Sequence, residues 1–263
     1  MIGEGENMTM EQAQKIALVT GGSRGLGRNS AIALSKKGFD VIVTYHSRKD
    51  EAESVVKEIE GNGQKAAALQ FDAGDVASFD AFILRLTDVL KEKWNTEQIY
   101  ALINNAGFGI HSSLAETTEE QFDSLMNVHL KGVFFLTQKL LPRIADNGRV
   151  INVSTGLARF TLAGYGAYAA MKGAIEVLTR YMAKEWGSRG IRVNAIAPGA
   201  IATDFQDGAV RDNPDLNRFI GSQIALGRVG EPDDIGGVVA SLCTDEMGWV
   251  NGQRIEASGG MLL

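Results

Sequence analysis

Residues 15–45 read KIALVTGGSRGLGRNSAIALSKKGFDVIVTY. An apolar run at 15–20 meets a glycine-rich turn, a helical pattern over about 25–37 stops at Gly38, and a second apolar run fills 40–45. Short apolar runs on either side of a periodic helix mark a strand–helix–strand unit. Both runs are too continuously apolar for a sheet with one wet face, so each strand is expected to be covered on both sides. Gly21, Gly25 and Gly27 stand between strand and helix, with Ser23, Arg24 and Leu26 among them. Glycines at that point let the backbone turn tightly and approach a pyrophosphate at the helix N-terminus.

The alternation continues along the chain. KAAALQF (65–71), IYALINN (99–105), RVINVS (149–154), IRVNAIA (191–197) and QRIEA (253–257) read as further strands. Helical patterns lie at about 50–62, 77–94, 118–145, 164–187 and 232–244. This predicts an α/β, doubly wound Rossmann fold: a mostly parallel seven-stranded sheet with helices on both faces. No repeat or polar linker divides residues 14–263, which are expected to form a single domain. Residues 1–13, MIGEGENMTMEQA, read as a flexible tail, with acids where a signal peptide needs a basic region. The stretch 199–230 is broken by Gly199, Gly208, Pro214, Gly221, Gly227 and Gly230 and predicts a mobile substrate loop.

Composition narrows the partners. The 263 residues are 44% hydrophobic and 22% charged with a net charge of -6, which argues against nucleic acid or an anionic membrane surface. The single cysteine, Cys243, excludes an internal disulfide framework and fits the reducing cytoplasm. His46, His111 and His129 show no metal-ligand spacing, so no metal is expected.

The second strand selects the dinucleotide. NAD usually requires an acid near its end, roughly 20 residues past the glycines, to hold the ribose 2′-hydroxyl. The tip here reads Thr44-Tyr45-His46-Ser47-Arg48, and Asp40 lies at the strand's opposite end. Ser47, Arg48 and Arg24 suit a 2′-phosphate instead, since a guanidinium grips phosphate in a fork. NADP(H) is therefore the expected cofactor.

Farther on, Tyr168-Ala-Ala-Met-Lys172 places a phenol and an ammonium one helical turn apart. A phenol ordinarily ionises near pH ~10 and is a poor proton shuttle at neutrality. An ammonium about 4 Å from the phenolate would favour ionisation by roughly 4 kcal/mol at an effective dielectric of ~20. The bland alternative is a helix carrying one aromatic and one solvated cation.

Taken together these motifs resemble the short-chain dehydrogenase/reductase family over about residues 14–260. Thr20-Gly21-x-x-x-Gly25-x-Gly27 is similar to its cofactor turn, Asn104-Asn105-Ala106-Gly107 to its N-N-A-G motif, and Tyr168-x-x-x-Lys172 to its catalytic pair. Pro198-Gly199 with Ile201 and Thr203 resembles its nicotinamide-side loop. The resemblance implies that Tyr168 exchanges a proton with substrate oxygen, and that Lys172 lowers the phenol pKa and holds the nicotinamide ribose. It further implies that Asp72, Ala73, Asn105, Ala106 and Gly107 line the adenosine side of the cleft.

Two positions depart from the family pattern. A serine usually stands thirteen residues before the tyrosine, where this chain has Thr155 beside Ser154. Threonine supplies the same hydroxyl donor with a stiffer χ1, and Ser154 points to the opposite face if the strand extends that far. The family's fourth catalytic residue, an asparagine whose carbonyl holds a relay water, is replaced by His129. Asn127 lies two residues early, nearly 200° around a helix, and should not substitute. The His129 imidazole either titrates near neutrality or simply packs.

The expected activity is NADP(H)-dependent interconversion of a carbonyl and a secondary alcohol by a cytoplasmic enzyme, with 3-oxoacyl-thioester reduction the leading substrate reading. Phe108, Ile110, Phe160, Leu162 and Phe205 fall on loops near the expected site and suggest a partly apolar pocket. The rival is a nucleotide-sensing binding protein with impaired catalysis. Apolar surface on the patterns at 118–145 and 164–187 predicts self-association, and the family implies a homotetramer.

Overall fold

Alternate residues of each apolar run face opposite sides of one sheet. In β1 (Ile16–Val19), Ala17 and Val19 enter one core, while Ile16 and Leu18 enter the other. The other strands are β2 (Asp40–Tyr45), β3 (Ala66–Gln70), β4 (Ile99–Asn104), β5 (Ile144–Val153), β6 (Arg192–Pro198) and β7 (Arg254–Ala257). The first core is closed by α1 (Gly25–Lys36), α2 (Lys49–Gly61) and α9 (Pro232–Leu242), with Leu34, Val55, Ile235 and Val239 fully buried. The second is closed by α3 (Phe79–Trp94), α5 (Gly132–Leu140) and α6 (Gly166–Trp186), with Phe79, Phe82, Leu86 and Leu140 at its centre. Double coverage is why the strands read as unbroken apolar runs.

This computed structural model describes residues 14–263. The expected tail, residues 1–13, lies outside the described residues. All seven strands are parallel, in the order β3-β2-β1-β4-β5-β6-β7. The order reverses between β1 and β4, and at such a switch point ligands enter the crevice beyond the carboxyl ends of the strands. Among the described residues, no helix is long and apolar enough to cross a membrane.

Two elements differ from expectation. The pattern at 118–145 predicts one helix, but the structure divides it into α4 (Glu119–Met126), a wider π-helical segment Asn127–Lys131, α5, and a 3-10 turn Leu141–Arg143. Gly132 packs so closely on the Ala73 carbonyl that a Cβ there would collide with it. Pro142, lacking an N–H, sits where the helix gives way to β5. The stretch 199–230 has no strand but is not structureless. Ile201 bridges Gly230, a 3-10 turn spans Phe205–Gly208, α7 (Ala209–Asp212) and α8 (Pro214–Gly221) follow, and Ile224 bridges Met261.

Candidate active site

Thr20 bolts two loops together at the switch point. Its hydroxyl accepts from the Asn105 and Ala106 amides at 2.9 and 3.0 Å, and Asn105 Nδ2 donates to the Thr20 and Gly21 carbonyls at 2.9 and 3.2 Å. Thr44 receives the Gly21 amide on its hydroxyl at 3.1 Å and the Gly22 amide on its carbonyl at 2.8 Å. Gly21 has φ +65, and a Cβ there would lie 2.9 Å from the Ala106 Cα. On Gly27 a Cβ would strike the Gly21 carbonyl oxygen. α1 begins at Gly25 with no side-chain cap and no acid in its first turn, so its first N–H groups keep a positive end for an anion. A glycine cradle under an uncapped twelve-residue helix fits a dinucleotide pyrophosphate.

The expected 2′-phosphate group is exposed but already paired. Arg24 reaches Asp204 at 3.1 Å and Arg48 reaches Glu51 at 2.7 Å, while Ser47 lies exposed between strand and helix. Asp40 is buried at the far end of β2, accepting from the Lys65 amide and the Trp94 indole at 2.7 Å each. It anchors the sheet, and no acid stands at the β2 tip. Asp72 accepts the Gly74 amide on Oδ1 at 2.8 Å, an Asx turn that sets the backbone of Ala73, and lies 3.5 Å from His46. The opposite wall is built by Pro198 at the end of β6, Gly199 against Ser258, and Ile201. Thr203 accepts from the Phe205 amide at 3.2 Å, so its hydroxyl also caps a turn, and its Cβ faces Gly25.

Tyr168 and Lys172 lie on α6, both buried, facing Thr155 at the end of β5. The Thr155 hydroxyl accepts from the Leu157 amide at 3.3 Å, which leaves its O–H free to donate. Ser154 faces away, donating to Glu176 at 2.6 Å. Lys172 Nζ donates to the Val153 carbonyl at 2.7 Å and stands 5.8 Å from the centre of the Tyr168 ring. The expected depression of the phenol by this ammonium is not what the structure shows. Burial raises the Tyr168 pKa, Thr155 pulling the other way, and burial lowers Lys172 to about 8. With both groups buried and the amine turned to a carbonyl, desolvation outweighs attraction.

His129 lies in the π-helical segment, 1% exposed, with its ring edge-on to Tyr168 at 5.2 Å. Nε2 lies 2.7 Å from the Phe108 carbonyl, so it carries the proton and donates. Nδ1 is buried without a hydrogen-bond partner. Burial first, and the Lys172 charge second, lower its pKa to about 3, which keeps the imidazole neutral at physiological pH. Of the two readings of this imidazole, burial and the lowered pKa favour the packed, neutral one. Phe205 packs on Tyr168 at 5.8 Å and Phe108 on His129 at 5.5 Å. Ile110 joins the cluster around Tyr168, Phe160 covers Gly156, and Leu162 is 59% exposed.

A buried polar chain passes beneath the site unforeseen. Thr137, Asn104, Asn152 and Thr179 are linked by hydrogen bonds of 3.0, 2.9 and 2.9 Å across β4, β5, α5 and α6. Asparagines inside otherwise apolar runs are the signal that marks them. Among the described residues, no group of His, Cys, Asp or Glu is placed to hold a metal.

A family model described as enoyl-(acyl carrier protein) reductase matches residues 21–262. The 3-oxoacyl-[acyl-carrier-protein] reductase FabG of Staphylococcus aureus is 37% identical over 251 residues, covering 95% of this chain and 98% of that protein. The chain belongs to the short-chain dehydrogenase/reductase family. Among solved structures of the family, the reductase LugOII, described as promiscuous and as catalysing keto-reduction at C1 in lugdunomycin biosynthesis, superposes with a TM-score of 0.90. It is 38% identical and covers 95% of this chain and 98% of its own. The angucycline C-6 ketoreductase LanV, solved with bound NADP, gives 0.89 at 36% identity, covering 94% and 95% of the two chains.

Proposed function

We propose that this chain is an NADP(H)-dependent reductase that interconverts a carbonyl and a secondary alcohol. The observation that carries the reading is the convergence of Tyr168, Thr155 and Lys172 beside a glycine cradle at the sheet's switch point. When bound, the nicotinamide supplies or accepts a hydride. Tyr168 Oη gives its proton to the carbonyl oxygen as charge develops there, and Thr155 donates a hydrogen bond to the same oxygen. Lys172 would hold the nicotinamide ribose when the cofactor is bound, and its ammonium lies on the same helix face as the phenol. His129 stays neutral and holds the loop at Phe108 beside the site.

The pyrophosphate is assigned to Gly21, Ser23, Gly25, Leu26 and Gly27, and the 2′-phosphate to Arg24, Ser47 and Arg48. Adenosine is assigned to the wall of Asp72, Ala73, Asn105, Ala106 and Gly107, and the nicotinamide to Pro198, Gly199, Ile201 and Thr203. Residues 199–230 act as the substrate lid of a single domain. The enzyme works in the cytoplasm as a homotetramer; self-association is supported by Phe122 and Phe134, which α4 and α5 leave 42% and 39% exposed.

A 3-oxoacyl thioester is the first substrate reading, in keeping with the FabG likeness. The aromatic rings of Phe205 and Phe108 beside the site favour a second, an aromatic ketone, in keeping with the likeness to the angucycline C-6 ketoreductase LanV. A nucleotide sensor without catalysis finds no support. The test is to supply NADPH carrying deuterium at both C4 positions and each ketone in turn. Label at the new carbinol carbon establishes the reaction, and oxidation of NADPH without labelled alcohol contradicts it.

A further inference from the structure

Behind Thr155 lies a set of charged side chains that the proposed reaction does not use. Arg254 on β7 spreads its guanidinium over three partners: Nε to Glu176 at 2.7 Å, Nη1 to Glu256 at 2.9 Å and Nη2 to the Thr155 carbonyl at 3.3 Å. Glu176, one turn beyond Lys172 on α6, also receives the Ser154 hydroxyl at 2.6 Å. Glu256 is held in addition by Arg159 at 2.8 Å and Ser258 at 2.8 Å, and Arg159 reaches the Met261 carbonyl at 3.2 Å. The side chains of Arg254, Glu176 and Glu256 are only 21%, 14% and 18% exposed. Two arginines and two glutamates balance, so the cluster adds no net charge behind the site.

From this geometry we infer that Arg254 is a positioning residue for the reaction, acting through Thr155. A guanidinium is planar and rigid, so fixing two of its edges on Glu176 and Glu256 fixes the third. That third edge sets the peptide plane of Thr155, whose backbone is otherwise extended (φ -158, ψ 150) and followed by a tight turn. The Leu157 amide holds the Thr155 hydroxyl from the front and Arg254 holds its carbonyl from behind. The direction in which the hydroxyl donates is therefore set by the pair. Lysine would keep the charge but lose the fork. The inference rests on Thr155 donating to substrate oxygen, as proposed above.

The test is a double-mutant cycle on ketone reduction with NADPH: wild type, Thr155→Val, Arg254→Lys and both together. Thr155→Val is expected to lower kcat on the order of a hundredfold, as loss of one donor to a developing oxyanion does. Arg254→Lys is expected to lower kcat about tenfold through misplacement, with KM and the NADPH dissociation constant nearly unchanged. The decisive value is the double variant, which should match Thr155→Val alone, because Arg254 has nothing left to aim. A merely structural clamp would instead give losses that multiply. Should Arg254→Lys not fold, Glu256→Gln loosens the guanidinium from its far side, and its smaller loss must likewise vanish beside Thr155→Val. Wild-type turnover with multiplying losses, or an unchanged kcat in Arg254→Lys, overturns the inference alone. Wild-type protein that reduces no ketone contradicts the underlying reading and removes this inference with it.

Discussion

Burial pushes the Tyr168 phenol above its ordinary pKa and Lys172 down to about 8, so both groups of the pair are driven toward neutrality. The pair becomes a proton shuttle only when something else holds it. In the proposed reaction Lys172, held at 2.7 Å on the Val153 carbonyl, supplies the charge beside the phenol, and a Lys172→Met variant should lose activity most steeply near neutral pH. His129 makes a separate, thermodynamic prediction. Its folded pKa of about 3 lies below the ordinary 6.5, so between those values the unfolded chain binds the extra proton. Stability from this residue is complete above pH 6.5 and is lost as the pH falls toward 3. His129→Asn should therefore flatten the stability curve in that window, by up to about 1.4 kcal/mol per pH unit. Denaturant titrations at several acidic pH values check this, and an unchanged slope contradicts a neutral buried imidazole. The sequence names His129, Tyr168 and Thr155, but burial, which decides the pKa directions, is a property of the packed molecule.

Among the elements, the glycine turn was the most legible, because glycines 21, 25 and 27 leave the backbone few other structures at a strand–helix junction. What the spacing does not reveal is the Thr20 and Thr44 hydroxyls that clamp the turn, since a threonine in a strand is ordinarily unremarked. Thr20→Val keeps the shape and removes the hydroxyl that receives the Asn105 and Ala106 amides. It should weaken NADPH binding about tenfold or more while the fold persists, since buried amides left unpaired cost about 1–3 kcal/mol each. Fluorescence titration with NADPH gives the value, and unaltered affinity would show that the clamp is not needed. The helical pattern at 118–145 holds as far as Arg143 but does not show the π-helical segment within it, because π and α turns share the same apolar residues; the close approach of Gly132 to Ala73 marks its end. Arg254 was equally invisible, its three partners lying 78, 2 and 99 residues away in the chain.

For the whole molecule, alternating strands and helices were enough to give the sheet, because two covered faces demand unbroken apolar strands and amphipathic helices. The absence of an acid at the β2 tip likewise carries the cofactor preference. Arg48→Ala with Arg24→Ala should weaken NADPH far more than NADH, and equal weakening would place the 2′-phosphate elsewhere. Assembly was not legible in that way, since exposed apolar residues mark a contact without counting its partners. Light scattering at micromolar concentration should give four chains, and a monomer would refute the tetramer.

In the proposed reaction everything turns on Tyr168 supplying the proton for ketone reduction with NADPH. Measuring NADPH oxidation by wild type and Tyr168→Phe, with NADPH affinity determined for both, tests it most directly. Tyr168→Phe should lose kcat on the order of a thousandfold at undiminished affinity, in the range that positioned acid–base groups supply. Full turnover by Tyr168→Phe would contradict it.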